Sequence, residues 1–259
     1  MNNQCKIENQ VSQSQIALDS QESEVSTPRK GKLVSKVLSP ALGLWLRSQL
    51  DRVENLKVNI QAGDRQILTG KIPHASVAAD LVIYRGLHLT EVELSATGIS
   101  INIGQIIKGK PLQILESFPI VGKFKLLQSD FNSSLKSTLL AEAIIEFLTP
   151  LLRSDLIEHL QQPICLYDQQ VEICQGQLNL FANFLSTTDE KIPLTLHTDL
   201  KLASSSELLL DQLNIQVLQQ PQYSFSNNVK IDLGSDVELQ ELTLESGELI
   251  CRGCLIVKP

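Results

Sequence analysis

Residues 75–115 have the sequence ASVAADLVIYRGLHLTEVELSATGISINIGQIIKGKPLQIL, in which apolar and polar side chains alternate. Strict alternation is typical of strands that bury one face and expose the other. Three runs share this pattern: Val77, Ala79, Leu81 and Ile83; Val92, Leu94 and Ala96; and Ile99, Ile101 and Ile103. The apolar positions change from even to odd numbers at Thr97-Gly98, which predicts a bulge or bend there. The stretch therefore predicts a sheet with one large aliphatic face.

The composition limits what kind of molecule this sheet belongs to. At 259 residues the chain can bury a substantial core, and with 42% apolar but only 4% aromatic residues that core must be aliphatic. Few aromatic rings and a formal net charge of −7 argue against nucleic acid as a partner. No uninterrupted run of about 18 apolar residues exists, so we expect no membrane-spanning helix. The first residues lack the basic and apolar regions of a secretory signal, which predicts an intracellular protein.

The chain before the sheet divides into a polar tail and a helical segment. Residues 1–31 are rich in Gln, Ser, Asn and Glu, and we expect them to be disordered. The segment that follows has apolar residues at helical spacing: Val34, Val37, Leu38, Ala41 and Trp45. Pro40 predicts either two short helices or one kinked helix. Because lysines and arginines surround the apolar stripe, the helix suits an anionic membrane surface, but packing on the sheet explains it equally well.

The rest of the chain predicts many strands and one helical region. Alternation predicts strands at residues 53–62, 66–70 and 121–127, and helical spacing predicts a helix from Ser129-Asp130 to about Leu152. Seven further strands are predicted at 164–173, 177–184, 193–202, 208–217, 223–233, 237–244 and 249–257. Without a strand-helix-strand rhythm, this order predicts an α+β fold with a mostly antiparallel sheet.

Short motifs that could bind a metal or a nucleotide lack the context that such sites need. Residues 104–110 match the letters of a phosphate-binding loop, but Pro111 stands where Ser or Thr would coordinate magnesium. Cys251 and Cys254 form a C-x-x-C pair, yet they lie in a predicted strand where they face opposite ways, which favours ordinary thiols over a zinc site. The four histidines are scattered and have no nucleophile motif beside them. We therefore predict no catalytic residues, no metal and no cofactor.

Several longer phrases resemble the LmeA-like phospholipid-binding family, which is common in photosynthetic bacteria. They are SKVLSPALGLWLRSQL (35–50), VIYRGLHL (82–89), ISINIGQIIKGKPLQILE (99–116), SDFNSSL (129–135), DLGSDVELQEL (232–242) and GCLIVKP (253–259). The resemblance implies the α+β fold of the tubular lipid-binding (TULIP) superfamily: a long curved antiparallel sheet wrapped around one or two helices, with an apolar groove. It also implies that residues 32–259 form a single TULIP-like domain.

The pattern and the resemblance together predict non-enzymatic phospholipid binding, with lipid transfer at a membrane surface. The alternative is a structural or scaffold protein with a filled core that docks on membranes or protein partners; an enzyme is a third hypothesis, without a catalytic constellation. The predicted location is cytoplasmic or peripheral on an inner or photosynthetic membrane, and a homodimer stays open as an alternative to a monomer. The predicted lipid-binding residues are Leu42, Trp45, Ile99, Ile101, Ile103, Ile106, Ile107, Leu112 and Ile114. The predicted headgroup or membrane contacts are Lys36, Lys108 and Lys110.

Overall fold

The computed structural model describes residues 33–106, 108–152, 154–217 and 224–259, and most of these residues lie in strands. The helices are α1 (Leu33–Gln49), α2 (Asp64–Leu68), α3 (Ile103–Ile106), α4 (Gln128–Ser134), α5 (Thr138–Leu148) and α6 (Ser154–His159), with a short 3-10 turn at Thr149–Leu151. The strands are β1 (Arg52–Gln61), β2 (Lys71–Tyr84), β3 (Leu87–Ser100), β4 (Phe118–Leu127), β5 (Tyr167–Ile173), β6 (Gln177–Leu185), β7 (Lys191–Ser204), β8 (Glu207–Val217), β9 (Ser224–Asp232), β10 (Val237–Glu245) and β11 (Glu248–Val257). The predicted polar tail, residues 1–31, lies outside the described ranges.

The strands form two antiparallel sheets. The first sheet has the order β1-β2-β3-β4-β11-β10, and the second has the order β5-β6-β7-β8-β9. The predicted α+β fold, with a mostly antiparallel sheet and few helices, is therefore confirmed. None of the helices in the described ranges is long and apolar enough to cross a bilayer.

The second sheet carries the main hydrophobic core of the molecule. Its inner face presents Phe184, Leu194, Leu213 and Ile215, and each of these side chains is almost completely buried. Helices α5 and α6 cover that face with residues such as Leu148 and with half-buried neighbours along the same stripe. Because every layer supplies branched aliphatic side chains, this half of the protein is packed like the interior of an ordinary globular protein.

Helix α4 joins the two sheets through side-chain hydrogen bonds to strand backbones. The Asn132 amide accepts a hydrogen bond from Val171 N (2.6 Å) and donates one to Val171 O (2.9 Å), so it pairs with the free edge of β5. On its other side, Ser134 Oγ accepts a hydrogen bond from His88 N of β3 at 2.8 Å. These bonds satisfy backbone groups that would otherwise be left unpaired at a strand edge.

Several predicted elements differ from the observed ones for local reasons. The predicted strand at 66–70 is wrong, because Gly63 N donates a hydrogen bond to Gln66 Oε1 (2.9 Å) at the start of helix α2. The predicted long helix is observed as two helices, α4 and α5. Ser137 lies between them and caps the start of α5, where its side chain accepts a hydrogen bond from Leu140 N. Helix α1 passes through Pro40 without a break.

The alternation within β2 and β3 also changes face, once where it was predicted and once where it was not. Gly98 has a φ of 67°, at the predicted change of phase between Ala96 and Ile99. A second change was missed: Leu81 has a φ of 47° and is exposed, so Val82 is the buried residue that follows Ala79. The grouping of Leu81 with Val77 and Ala79 on one face is therefore wrong.

Candidate functional site

The first sheet has one apolar and one polar face, and the strand register assigns side chains to each. Residues paired across antiparallel strands share a face. One row of pairs runs Ile60, Ala75, Ala96, Ile120 and Leu255, and the next runs Val58, Val77, Leu94, Gly122 and Gly253. We call the surface formed by these two rows, together with Ala79, Val92 and Phe124 beside them, the aliphatic wall. The opposite surface of the same strands is the polar face.

The aliphatic wall is covered least at Leu255 on β11. Ile60 on β1 is 6% exposed and Ala96 on β3 is 8% exposed, whereas Leu255 on β11 is 45% exposed. Helix α1 explains the buried side, because it packs mainly against β1. Val77, Leu94 and Ile120, which lie between these extremes, are half-buried. In contrast to the inner face of the second sheet, this wall presents aliphatic surface that the described chain covers only in part.

Two glycines lie side by side in the middle of the wall. Gly122 on β4 is the direct partner of Gly253 on β11. A Cβ atom at Gly122 would come within 2.9 Å of the Phe124 ring and 3.1 Å of the Leu94 side chain. Both side chains therefore lean over the space that the missing side chain leaves. Because these neighbours are half-buried side chains rather than backbone, changes in their rotamers would reshape the hollow beside Leu94.

Four of the predicted lipid-binding residues meet at the covered end of the wall. Leu42 of α1 packs with Ile99, Ile101 and Ile103 around Ile60, Ile72 and Ala75. Ile114 is half-buried and forms an isolated antiparallel bridge with Ile101. Ile103 is the first residue of α3 rather than part of a strand, so its grouping with the alternating strand residues is wrong. These residues fill one another's space, and their predicted contact with lipid stays a prediction.

The remaining predicted site residues lie at the surface or outside the described structure. Trp45 and Leu112 are exposed, and so are Lys108 and Lys110 in the turn that follows α3. Ile107 lies outside the described residues, as do the side chains of Ile106 and Lys36. Of the phosphate-loop letters, residues 104–106 therefore lie in the short helix α3 and residues 108–110 in an exposed turn.

The polar face carries an open depression of about 490 Å³ that crosses five strands. One row of paired residues on its surface is Lys57, Ala78, Glu93, Lys123 and Arg252. Glu93 and Lys123 are direct cross-strand partners of opposite charge, while Lys123 and Arg252 are direct partners of like charge. Ser76, Ser95 and Val121 form a second row of smaller side chains. The depression therefore combines mixed charges with small side chains, and Val77, Leu94 and Gly122 of the aliphatic wall also line it.

The cysteines of the C-x-x-C pair lie on opposite faces, as the strand pattern predicts. Cys251 is the cross-strand partner of Phe124 on the aliphatic side, whereas Cys254 pairs with Val121 of the polar face. Burial raises the pKa of the Cys251 thiol, and the nearby Glu241 carboxylate raises it further. Within the described ranges no three His, Cys, Asp or Glu side chains gather as a metal site would require.

The site residues that sequence reasoning missed are Ile120, Leu255 and Gly122. Ile120 lies just before the predicted strand 121–127, and Leu255 lies within a predicted strand, but neither was assigned to the wall. Alternation of apolar and polar residues in each strand could have shown which side chains share a face. What was missing was the pairing of β4 with β11, two strands that are far apart in sequence.

Comparison with known proteins adds one finding to this geometry. A family model described as LmeA-like phospholipid-binding matches residues 30–254, which confirms the resemblance of the sequence phrases. No curated protein and no solved structure matches the chain.

Proposed function

The chain belongs to the LmeA-like phospholipid-binding family, and from this premise we propose that it binds a phospholipid without catalysing a reaction on it. The proposal includes the position of the lipid: an acyl chain lies along the aliphatic wall, over Leu94, Ile120 and Leu255. The observation that carries this position is the exposure of Leu255 on β11, because its direct partners on both sides, Ile120 and Val237, are half-buried. The wall with helix α1 beside it would then serve as the apolar groove of a TULIP-like fold.

The chemistry of the wall supports an acyl chain as its ligand. An acyl chain has no hydrogen-bonding groups, so it needs aliphatic surface and few polar atoms around it. The wall supplies Val, Leu, Ile and Phe side chains, and the adjacent Gly122 and Gly253 lower its surface in the middle. A substrate with many polar groups would leave them unpaired on this surface, which is unfavourable.

The energetics favour reversible exchange over permanent storage. Burying a sixteen-carbon chain stabilises a complex by about 12 kcal/mol gross, at about 0.8 kcal/mol per CH₂ group. Removing the same acyl chain from a bilayer costs a similar free energy. The protein therefore needs only to offer the acyl chain an environment as favourable as the bilayer interior. We therefore propose that the protein transfers phospholipid at a membrane surface without an energy source.

Native mass spectrometry of gently purified protein tests binding directly. We expect the unchanged chain to carry a co-purified phospholipid, and a bare mass from every gentle preparation would contradict the proposed function. To test the position, Leu255→Asp is compared with Leu139→Asp, a matched control because Leu139 on α5 is 42% exposed and lies outside the wall. Because Leu255 is exposed, a carboxylate there is tolerated by the fold but repels an acyl chain. Lipid retained by folded Leu255→Asp protein would show that the wall is not the site.

A scaffold protein is the second candidate function, and the depression on the polar face favours it. Mixed charges such as Glu93, Lys123 and Arg252 around small side chains suit a polar protein surface better than an acyl chain. Under this alternative a protein partner docks on the depression, and the core is filled by the protein's own side chains. Charge reversal by Lys123→Glu would then weaken binding of a protein partner and leave co-purified lipid unchanged.

A further inference from the structure

The connections at one end of the first sheet form a surface of their own, separate from the aliphatic wall. In the antiparallel order β1-β2-β3-β4, the end of β1, the start of β2, the end of β3 and the start of β4 lie at the same end of the sheet. Two connecting segments therefore meet there: residues 62–71, with helix α2 and the first residue of β2, and the described residues 101–106 and 108–117, with helix α3. We call these two segments the tip.

The tip exposes large apolar side chains although its backbone is well anchored. Leu68 is 59% exposed and Leu115 is 53% exposed, and Leu112 is also exposed. The residue before Leu68, Ile67, is almost completely buried and holds α2 in place. Leu68 is therefore exposed because an ordered helix holds it in that orientation. An apolar side chain that is held in an exposed position indicates a surface that binds an apolar partner.

The longer segment of the tip is also ordered, because hydrogen bonds hold its backbone in place. Asn102 is buried; its Nδ2 donates to Pro111 O (3.0 Å) and its Oδ1 accepts from Gln113 N (2.8 Å). Leu115 N donates to Ser100 O at 2.8 Å, and Ile101 N donates to Gly70 O at 2.9 Å. The loop that carries Leu112 and Leu115 is thus closed on itself and tied to the segment that carries Leu68.

The charge of the tip is opposite to that of the whole chain. Its cations are Arg65, Lys71, Lys108 and Lys110 and its anions are Asp64 and Glu116, which gives net +2 on a chain whose formal charge is −7. Lys71 forms an ion pair with Glu116 at 3.0 Å. Lys108 and Lys110 are exposed and form no ion pair with any residue of the described ranges. Such a local excess of cations beside apolar side chains complements an anionic surface with an apolar interior.

We propose that the tip docks on an anionic phospholipid bilayer, with Leu68, Leu112 and Leu115 inserted at the interface and Lys108 and Lys110 against the headgroups. The inference rests on the proposed function, because a protein that takes up phospholipid must meet the membrane that supplies it. It assigns docking to residues that lie outside the aliphatic wall. Docking and lipid binding are therefore separable by substitution.

The test measures sedimentation with vesicles of phosphatidylcholine that contain or lack phosphatidylglycerol. At about 1 kcal/mol per cation near the surface, Lys108→Ala with Lys110→Ala is expected to weaken binding to the anionic vesicles by about 30-fold. Leu112→Ser with Leu115→Ser is expected to weaken binding by about tenfold or more. The matched controls are Lys136→Ala and Leu139→Ser, exposed residues between α4 and α5 and on α5, which should bind vesicles as the unchanged chain does.

A second measurement separates the failure of docking from the failure of lipid binding. Dioctanoyl phosphatidylglycerol, kept below its micellar concentration, is titrated while the emission of Trp45, the only tryptophan, is recorded. Tip variants that bind this lipid normally but no longer sediment with anionic vesicles support the proposal. Tip variants that sediment as well as the unchanged chain overturn it, and so do folded tip variants that lose both activities. If the unchanged chain ignores the short-chain lipid but needs the tip to sediment, docking stands and the proposed function fails.

Discussion

The substitution Leu255→Ala tests whether the aliphatic wall accommodates lipid. The exposure of Leu255 in the structure determines how large an effect to expect on stability and on lipid binding. Complete burial of a leucine side chain contributes about 1.5–3 kcal/mol. Since Leu255 is 45% exposed, the lipid-free protein gains about half of this, and a ligand that covers the rest gains about 1 kcal/mol. We therefore expect Leu255→Ala to cost about 1 kcal/mol of unfolding free energy without lipid and to weaken lipid binding by about fivefold.

Two measurements check these values on the same protein samples. Urea unfolding of lipid-free protein gives the stability change, and titration with dioctanoyl phosphatidylglycerol, followed by Trp45 emission, gives the dissociation constant. Leu139→Ala is the matched control, because Leu139 on α5 is 42% exposed and lies outside the wall. It should cost similar stability and leave lipid binding unchanged. Equal lipid affinity in Leu255→Ala and the unchanged chain, or equal weakening in both variants, would refute the argument.

Three further predictions concern the second sheet, a thiol and an ion pair. Leu213→Ala should cost about 3–4 kcal/mol in urea unfolding, because Leu213 is fully buried and its truncation leaves a cavity; a cost as small as that of Leu255→Ala would contradict the closed core. N-ethylmaleimide should modify Cys251 slowly, since burial raises its thiol pKa, and lipid should slow the reaction further while the exposed Cys174 is unaffected; equal rates with and without lipid would argue against occupancy of the wall. The hydrogen bond from Lys201 lowers the pKa of Asp211, so the stabilisation that this pair supplies is present above the ordinary carboxyl pKa and is lost as pH falls through the lowered value. Lys201→Met should therefore lose less stability between pH 7 and pH 3 than the unchanged chain, as measured by urea unfolding at each pH, and an unchanged pH dependence would show that the pair is inactive.

The sequence predicted the strands well because alternation is a local property. The apolar face of each strand can be read from the residues of that strand alone. The change of phase near Gly98 was also visible in the sequence pattern. The missed change at Leu81 has a different cause: a leucine with positive φ leaves no mark in the pattern, since glycine is the residue that normally signals that conformation. Helix α2 was missed because five residues are too few to display a helical period.

The candidate site was harder to predict because it depends on which distant elements cover each other. Helices α1 and α5 both have apolar stripes, and nothing in either stripe tells which sheet it will cover. The sequence prediction chose residues near Ile101 because they belong to the alternating aliphatic stretch. In the structure Ile99, Ile101 and Ile103 pack with Leu42 and with one another, so these predicted lipid-binding residues cover each other.

Partial coverage of the aliphatic wall follows from the dimensions of its elements. Six strands about 4.8 Å apart span roughly 24 Å, whereas a helix with its side chains is about 10 Å wide. Helix α1 lies over β1 at one edge of this span, so the strands beyond its reach, β4 and β11, need another layer. In the second sheet α5 and α6 supply that layer, and its inner face is closed. On β11 the described chain leaves Leu255 exposed, and the proposed function assigns the missing layer to a phospholipid acyl chain. A structure of the loaded protein with a protein partner, rather than an acyl chain, over Leu255 would instead assign the wall to a scaffold.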